Sequence, residues 1–100
     1  MSEEIISLAV LEAHAGKEEE LRSWLQQLYS LMRTKGYCRD VLYRDSLRPD
    51  RFVHLRYWRS AEMRAEAQID PEVHRYWQHL PDLCSLTTLH ESLDMIFETK

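Results

Sequence analysis

Apolar residues recur every three or four positions between Gly16 and Gly36. Leu21, Trp24, Leu25, Leu28, Leu31 and Met32 fall on one stripe, the pattern of a helix with one buried face. Glu18, Glu19 and Glu20 open this segment, and Arg33 and Lys35 close it, a polarity that complements the helix dipole. The spacing predicts a helix over 17–34, with Gly36 as the residue after it that can take a positive φ. Before it, residues 4–14 are apolar on both alternating faces, as in a strand covered on two sides. After it, "YCRDVLYRD" (37–45) and "RFVHLRYW" (51–58) are rich in β-branched and aromatic residues. "SLRPD" between them reads as the loop of a hairpin. Ser60 is placed to cap a short helix over 61–68. Asp70 and Pro71 restart a helical segment that is expected to end before Pro81. "SLTTLHESLDMIF" (85–97) is a final strand.

The order strand, helix, strand, strand, helix, strand predicts two interleaved right-handed crossovers. This is a ferredoxin-like α+β sandwich: a four-stranded antiparallel sheet with the helices on one face. The other face of the sheet is also apolar and needs a cover. A symmetric dimer, two sheets stacked into an α/β barrel, is the simplest one. In the third strand, Val53, Leu55 and Tyr57 are expected to face the helices. Phe52, His54, Arg56 and Trp58 are expected to face the partner.

One hundred residues suit a single domain, taken as 1–100. The formal charge of −4 speaks against a general polyanion binder, and no apolar run is long enough to span a membrane. The acidic start "MSEEII" lacks the basic region of a secretory signal, so a cytoplasmic protein is expected. Cys38 and Cys84 form no paired motif and read as structural thiols. The five histidines show no metal-ligand spacing, and no metal site is expected. There is no nucleophile-elbow pattern and no glycine-rich phosphate loop.

Residues 39–64 hold seven arginines against four acids, so this region is locally basic in an acidic chain. RNA-recognition domains share the same element order, which makes RNA binding a remote alternative. However, "RFVHLRYW" lacks the glycine of their third-strand motif, and "EIISLAVLEA" lacks a stacking aromatic. No nucleic-acid partner is expected.

The segments "AGKEEEL", "LYRD", "RFVHLRYWRSAE" and "DPEVHRYW" resemble the antibiotic-biosynthesis-monooxygenase family of dimeric α/β-barrel proteins. The resemblance spans residues 5–97. It implies a homodimer acting on a small molecule, and within the family it points to a cofactor-independent monooxygenase of aromatic compounds. The haem-degrading branch relies on an Asn, a Trp and a His, whose places fall on Ala9, Ala67 and Trp77. Many other members carry a histidine nine residues after the strand-ending tryptophan, and that place is again Ala67. A non-catalytic small-molecule binding or interaction module on the same fold is therefore the alternative.

Cofactor-free oxygenation needs a base beside a phenolic substrate and a dry apolar wall. The candidate bases are His79, His54 and Tyr57. Trp24, Trp77 and Tyr76 are the candidate substrate-binding aromatics.

Overall fold

The computed structural model describes residues 5–100. Its elements are β1 (Ile5–Ala13), α1 (Glu18–Thr34), β2 (Cys38–Asp45), β3 (Arg48–Trp58), α2 (Ala61–Gln68), α3 (Pro71–Leu83) and β4 (Cys84–Leu93). The strands form one antiparallel sheet in the order β2-β3-β1-β4. This is the ferredoxin-like α+β arrangement, with a third helix where the Asp70–Pro71 restart separates α2 from α3.

α1 lays its apolar stripe on the sheet, and Leu21, Leu25, Leu28 and Met32 are buried. Its end is fixed by backbone geometry. Gly36 takes φ 77°, its N–H bonds the Arg33 carbonyl at 2.9 Å, and the Tyr37 N–H bonds the Met32 carbonyl at 3.0 Å. This paired closure satisfies the last carbonyls of the helix and requires a left-handed residue. The start of α3 docks on the same corner. Asp70 caps α3 through Oδ1 to the Glu72 N–H at 2.9 Å, while Oδ2 accepts from Lys35 Nζ at 2.7 Å and Tyr37 Oη at 2.6 Å. One carboxylate thus joins the end of one helix to the beginning of another.

Besides the end of β4 at Leu93, short of the expected residue 97, three expectations change. α3 continues through Pro81 to Leu83. Proline is tolerated there because only the final turn loses a donor, and the Cys84 N–H still reaches the Leu80 carbonyl. The turn of the hairpin is Ser46–Leu47, with the Leu47 N–H bonded to Asp45 Oδ1 at 2.9 Å. Pro49 and Asp50 lie inside β3, where the register shifts between Arg44 and Asp45; a proline without its N–H fits such an irregularity.

The third correction concerns the faces of β3. Phe52 packs with Leu21 and Leu25 of α1, Trp58 packs with Leu28 and Met32, and the His54 ring stacks on Tyr29. Phe52, His54, Arg56 and Trp58 therefore face the helices. By alternation Val53, Leu55 and Tyr57 face the open side, the reverse of the expectation from the sequence.

Candidate functional site

The helix face of the sheet does not close completely. A cavity of about 370 Å³ remains between the sheet and the helices. Its walls are largely apolar: Ala9 and Leu11 from β1, Leu25 and Leu28 from α1, Trp77 and Leu80 from α3. Leu86 and Leu89 of β4 complete one side and remain about half exposed.

Polar groups enter from β3. His54 and Arg56 both line the cavity. Behind them stands Asp40 of β2, directly opposite Arg56 in the strand register. One oxygen of Asp40, Oδ1, accepts from Arg56 Nε at 2.6 Å and from His54 Nε2 at 2.7 Å. The side chains of Asp40, Arg56 and His54 are 1%, 9% and 12% exposed, so the three form one buried array. Burial alone would raise the Asp40 pKa. The His54 hydrogen bond and the Arg56 charge outweigh it and hold the carboxyl below its usual range. Burial lowers the His54 pKa, and the neighbouring Arg56 charge acts the same way against the pull of Asp40.

The array is thus an Arg56–Asp40 ion pair with a neutral imidazole attached. A neutral His54 that donates Nε2–H to Asp40 carries its lone pair on Nδ1. That is the tautomer of a general base held by a carboxylate. Tyr29 of α1 stacks on the imidazole with ring centroids 4.7 Å apart. Burial pushes its phenol far above the ordinary tyrosine value, so it stays protonated. Tyr29 Oη and Arg56 Nη2 are sealed from solvent and have no hydrogen-bond partner among the described residues. Unmade donors of this kind are uncommon in folded proteins and concentrate where a site constrains the packing. Cys38 Sγ donates to Asp40 Oδ2 at 3.5 Å, and burial raises its pKa to about 12, so it remains a thiol.

At the opening, Trp58 Nε1 donates to Ser7 Oγ at 3.0 Å, and Ser7 Oγ donates to the Glu91 carbonyl at 2.7 Å. Arg64 and Gln68 of α2 line this end of the cavity.

The candidates expected from the sequence separate in space. His54 and Trp77 line the cavity; Trp24, Tyr76, His79 and Tyr57 do not. Trp24 donates from Nε1 to the Tyr76 carbonyl at 3.0 Å, and its ring contacts both Tyr76 and His79 at 4.6 Å. These three side chains lock α1 to α3. His79 lies 3.3 Å from Asp82 and 4.0 Å from Glu20 on the same outer surface. Tyr57 is on the opposite face of the sheet, under the Arg39 guanidinium at 3.8 Å.

Asp40, Tyr29, Arg56 and Arg64 do not stand out in the sequence as site residues. A signal for Asp40 and Arg56 is nevertheless present: an Asp and an Arg fall opposite each other once the hairpin register is set. Among the described residues, no group of three or more His, Cys, Asp or Glu side chains is placed to hold a metal ion.

Fold and cavity together define a small ferredoxin-like domain with a largely apolar, partly open cavity between its sheet and its helices. The chain belongs to the antibiotic biosynthesis monooxygenase family, whose model matches residues 5–78. No curated protein sequence matches it. Among solved structures it is similar to SnoaB, a cofactor-independent oxygenase from Streptomyces nogalater. That similarity has a TM-score of 0.78 at 16% identity, covering 95% of this chain and 98% of SnoaB. Rv0793 from Mycobacterium tuberculosis is similar with a TM-score of 0.73 at 18% identity, covering 94% of this chain and 99% of that one. SO0527 from Shewanella oneidensis has a TM-score of 0.72 at 21% identity, covering 90% and 87% respectively. At these identities the structural likeness speaks for the fold. No helix of the described residues is long and apolar enough to cross a membrane.

Proposed function

We propose that this protein is a cofactor-independent monooxygenase of a small phenolic aromatic molecule. The observation that carries the reading is His54: a largely buried, neutral imidazole, anchored by Asp40, on the wall of a largely apolar cavity. His54 takes the phenolic proton. The phenolate supplies electrons to O₂, and an activated ring methylene is oxidised to a carbonyl. One oxygen atom enters the product, and the other leaves as water with both methylene hydrogens. The apolar walls exclude bulk water from this sequence, and Arg56 offsets the negative charge of Asp40 beside the base. Neither Tyr57 nor His79 fits the role of base, because neither lines the cavity.

The active form is a homodimer. Ile6, Leu8, Val10, Val53 and Leu55 share the open side of the sheet and are only partly buried in one chain. An apolar face of this kind needs a cover, and a second copy supplies one of matching shape. Light scattering at micromolar concentration is expected to give about twice the chain mass of 12.0 kDa. A mass of one chain would overturn the dimer.

Oxygen uptake with a panel of polycyclic phenols that carry a ring methylene tests the activity. Uptake without added metal or cofactor supports it. The second reading, a binding module, draws on Ala67, a buried small residue of α2 where relatives are expected to carry a polar one. Measurable binding of the same phenols with no oxygen uptake would favour that reading.

A further inference from the structure

The rim of the cavity carries a cation that the proton-transfer array does not use. Arg64 reaches the cavity from α2, and its side chain is 22% exposed. Its ion-pair partner across the opening is Glu91 of β4, at 3.9 Å from Nη2 to Oε2. That separation is too long for a hydrogen bond. The Glu91 side chain is 73% exposed, so the pair is solvent-screened and weakly held. Gln68, one helical turn beyond Arg64, lines the same wall with a neutral amide. Arg56 is the other arginine on the cavity, and its Nε is committed to Asp40.

Arg64 therefore presents a largely sheltered guanidinium whose ion pair among the described residues, with Glu91, is longer than a hydrogen bond, beside a largely apolar space of about 370 Å³. A guanidinium matches a planar oxyanion in two parallel hydrogen bonds, and such bonds strengthen as water is excluded. We propose that Arg64 selects the substrate, and that the substrate is an aromatic acid. Its ring occupies the apolar cavity toward His54, and its carboxylate displaces Glu91 from Arg64 at the rim. The inference rests on the cavity being the ligand site proposed above and adds the chemical class of the ligand. Glu91 is the competitor for Arg64: it occupies the cation when the site is empty and swings to solvent when an anion arrives.

Calorimetric titration of the full chain with 2-naphthoate and its neutral counterpart 2-naphthamide tests this without requiring turnover. The wild type is expected to bind the acid about tenfold more tightly than the amide, with a preference that weakens as salt rises. R64Q is expected to bring the ratio close to one while the amide still binds. R64K is expected to retain part of the preference, and E91Q to increase it. Equal binding of acid and amide by the wild type would overturn the assignment and leave the aromatic site standing. So would an equal loss of both ligands in R64Q, which would make Arg64 a structural residue. Binding of neither probe by the wild type would overturn both the assignment and the proposed ligand site.

Discussion

Asp40 Oδ1 lies 2.7 Å from His54 Nε2, and the same oxygen lies 2.6 Å from Arg56 Nε. This carboxylate sets the tautomer of His54, anchors the ring that stacks on Tyr29 and compensates the buried Arg56 charge. Structural and chemical roles therefore meet on one carboxylate, and removing it has consequences of both kinds.

The D40A variant leaves Arg56 as an uncompensated buried cation and frees the imidazole. Urea denaturation is expected to show a loss of about 3–5 kcal/mol, the usual cost of breaking a buried pair from one side. D40N keeps the shape but removes the charge, and is expected to lose less stability. An unchanged midpoint in D40A would mean that the array does not contribute to folding.

Stability is expected to fall as pH drops below the ordinary histidine range. His54 has a lowered pKa in the folded chain, so the unfolded chain binds its proton first. The contribution of neutral His54 is fully present above its unfolded value of about 6.5 and is lost as pH falls toward the folded value. Asp40, also lowered when folded, adds a second loss below the ordinary carboxylate value. Thermal melts between pH 8 and pH 5 read the first effect, and H54F is expected to flatten that window. A melting temperature that rises on acidification through it would contradict the linkage.

G36A tests the closure of α1. Gly36 has φ 77°, and a Cβ there would lie 3.1 Å from Arg59 Nη1. The left-handed backbone alone costs a non-glycine residue about 1–2 kcal/mol. A shift of that size in the denaturation midpoint is expected, while G16A, with no atom near its Cβ, tests the backbone cost without the contact. Equal losses in the two variants would assign the effect to backbone conformation alone.

The fold is largely legible in the sequence because its signals are local. The stripe from Leu21 to Met32, the cap at Ser60 and the Asp70–Pro71 restart each act within a few residues of chain. Face assignment is not legible, for a physical reason. Both sides of β3 are covered or need covering, so apolar content does not distinguish them. Val53 and Leu55 read as core because they are apolar, yet the helix side carries Phe52, His54, Arg56 and Trp58. On a strand with two working faces, the polar members of a buried row mark a site rather than solvent. Asp40 identifies that row. It stands opposite Arg56, and Cys38, Asp40 and Leu42 alternate on the same side of β2. The choice among His54, His79 and Tyr57 depends on this row and on the packing of α3, where Trp24, Tyr76 and His79 meet outside the cavity.

The role of His54 is tested most directly by oxygen uptake of the wild type, H54Q, H79Q and Y57F on one phenolic substrate across pH. His54 as the base predicts a loss of about 10²–10⁴-fold in kcat/KM for H54Q and little change for H79Q and Y57F. It also predicts a wild-type acidic limb below the ordinary histidine pKa, absent in H54Q. Wild-type rates retained in H54Q, or a loss confined to H79Q or Y57F, would contradict it.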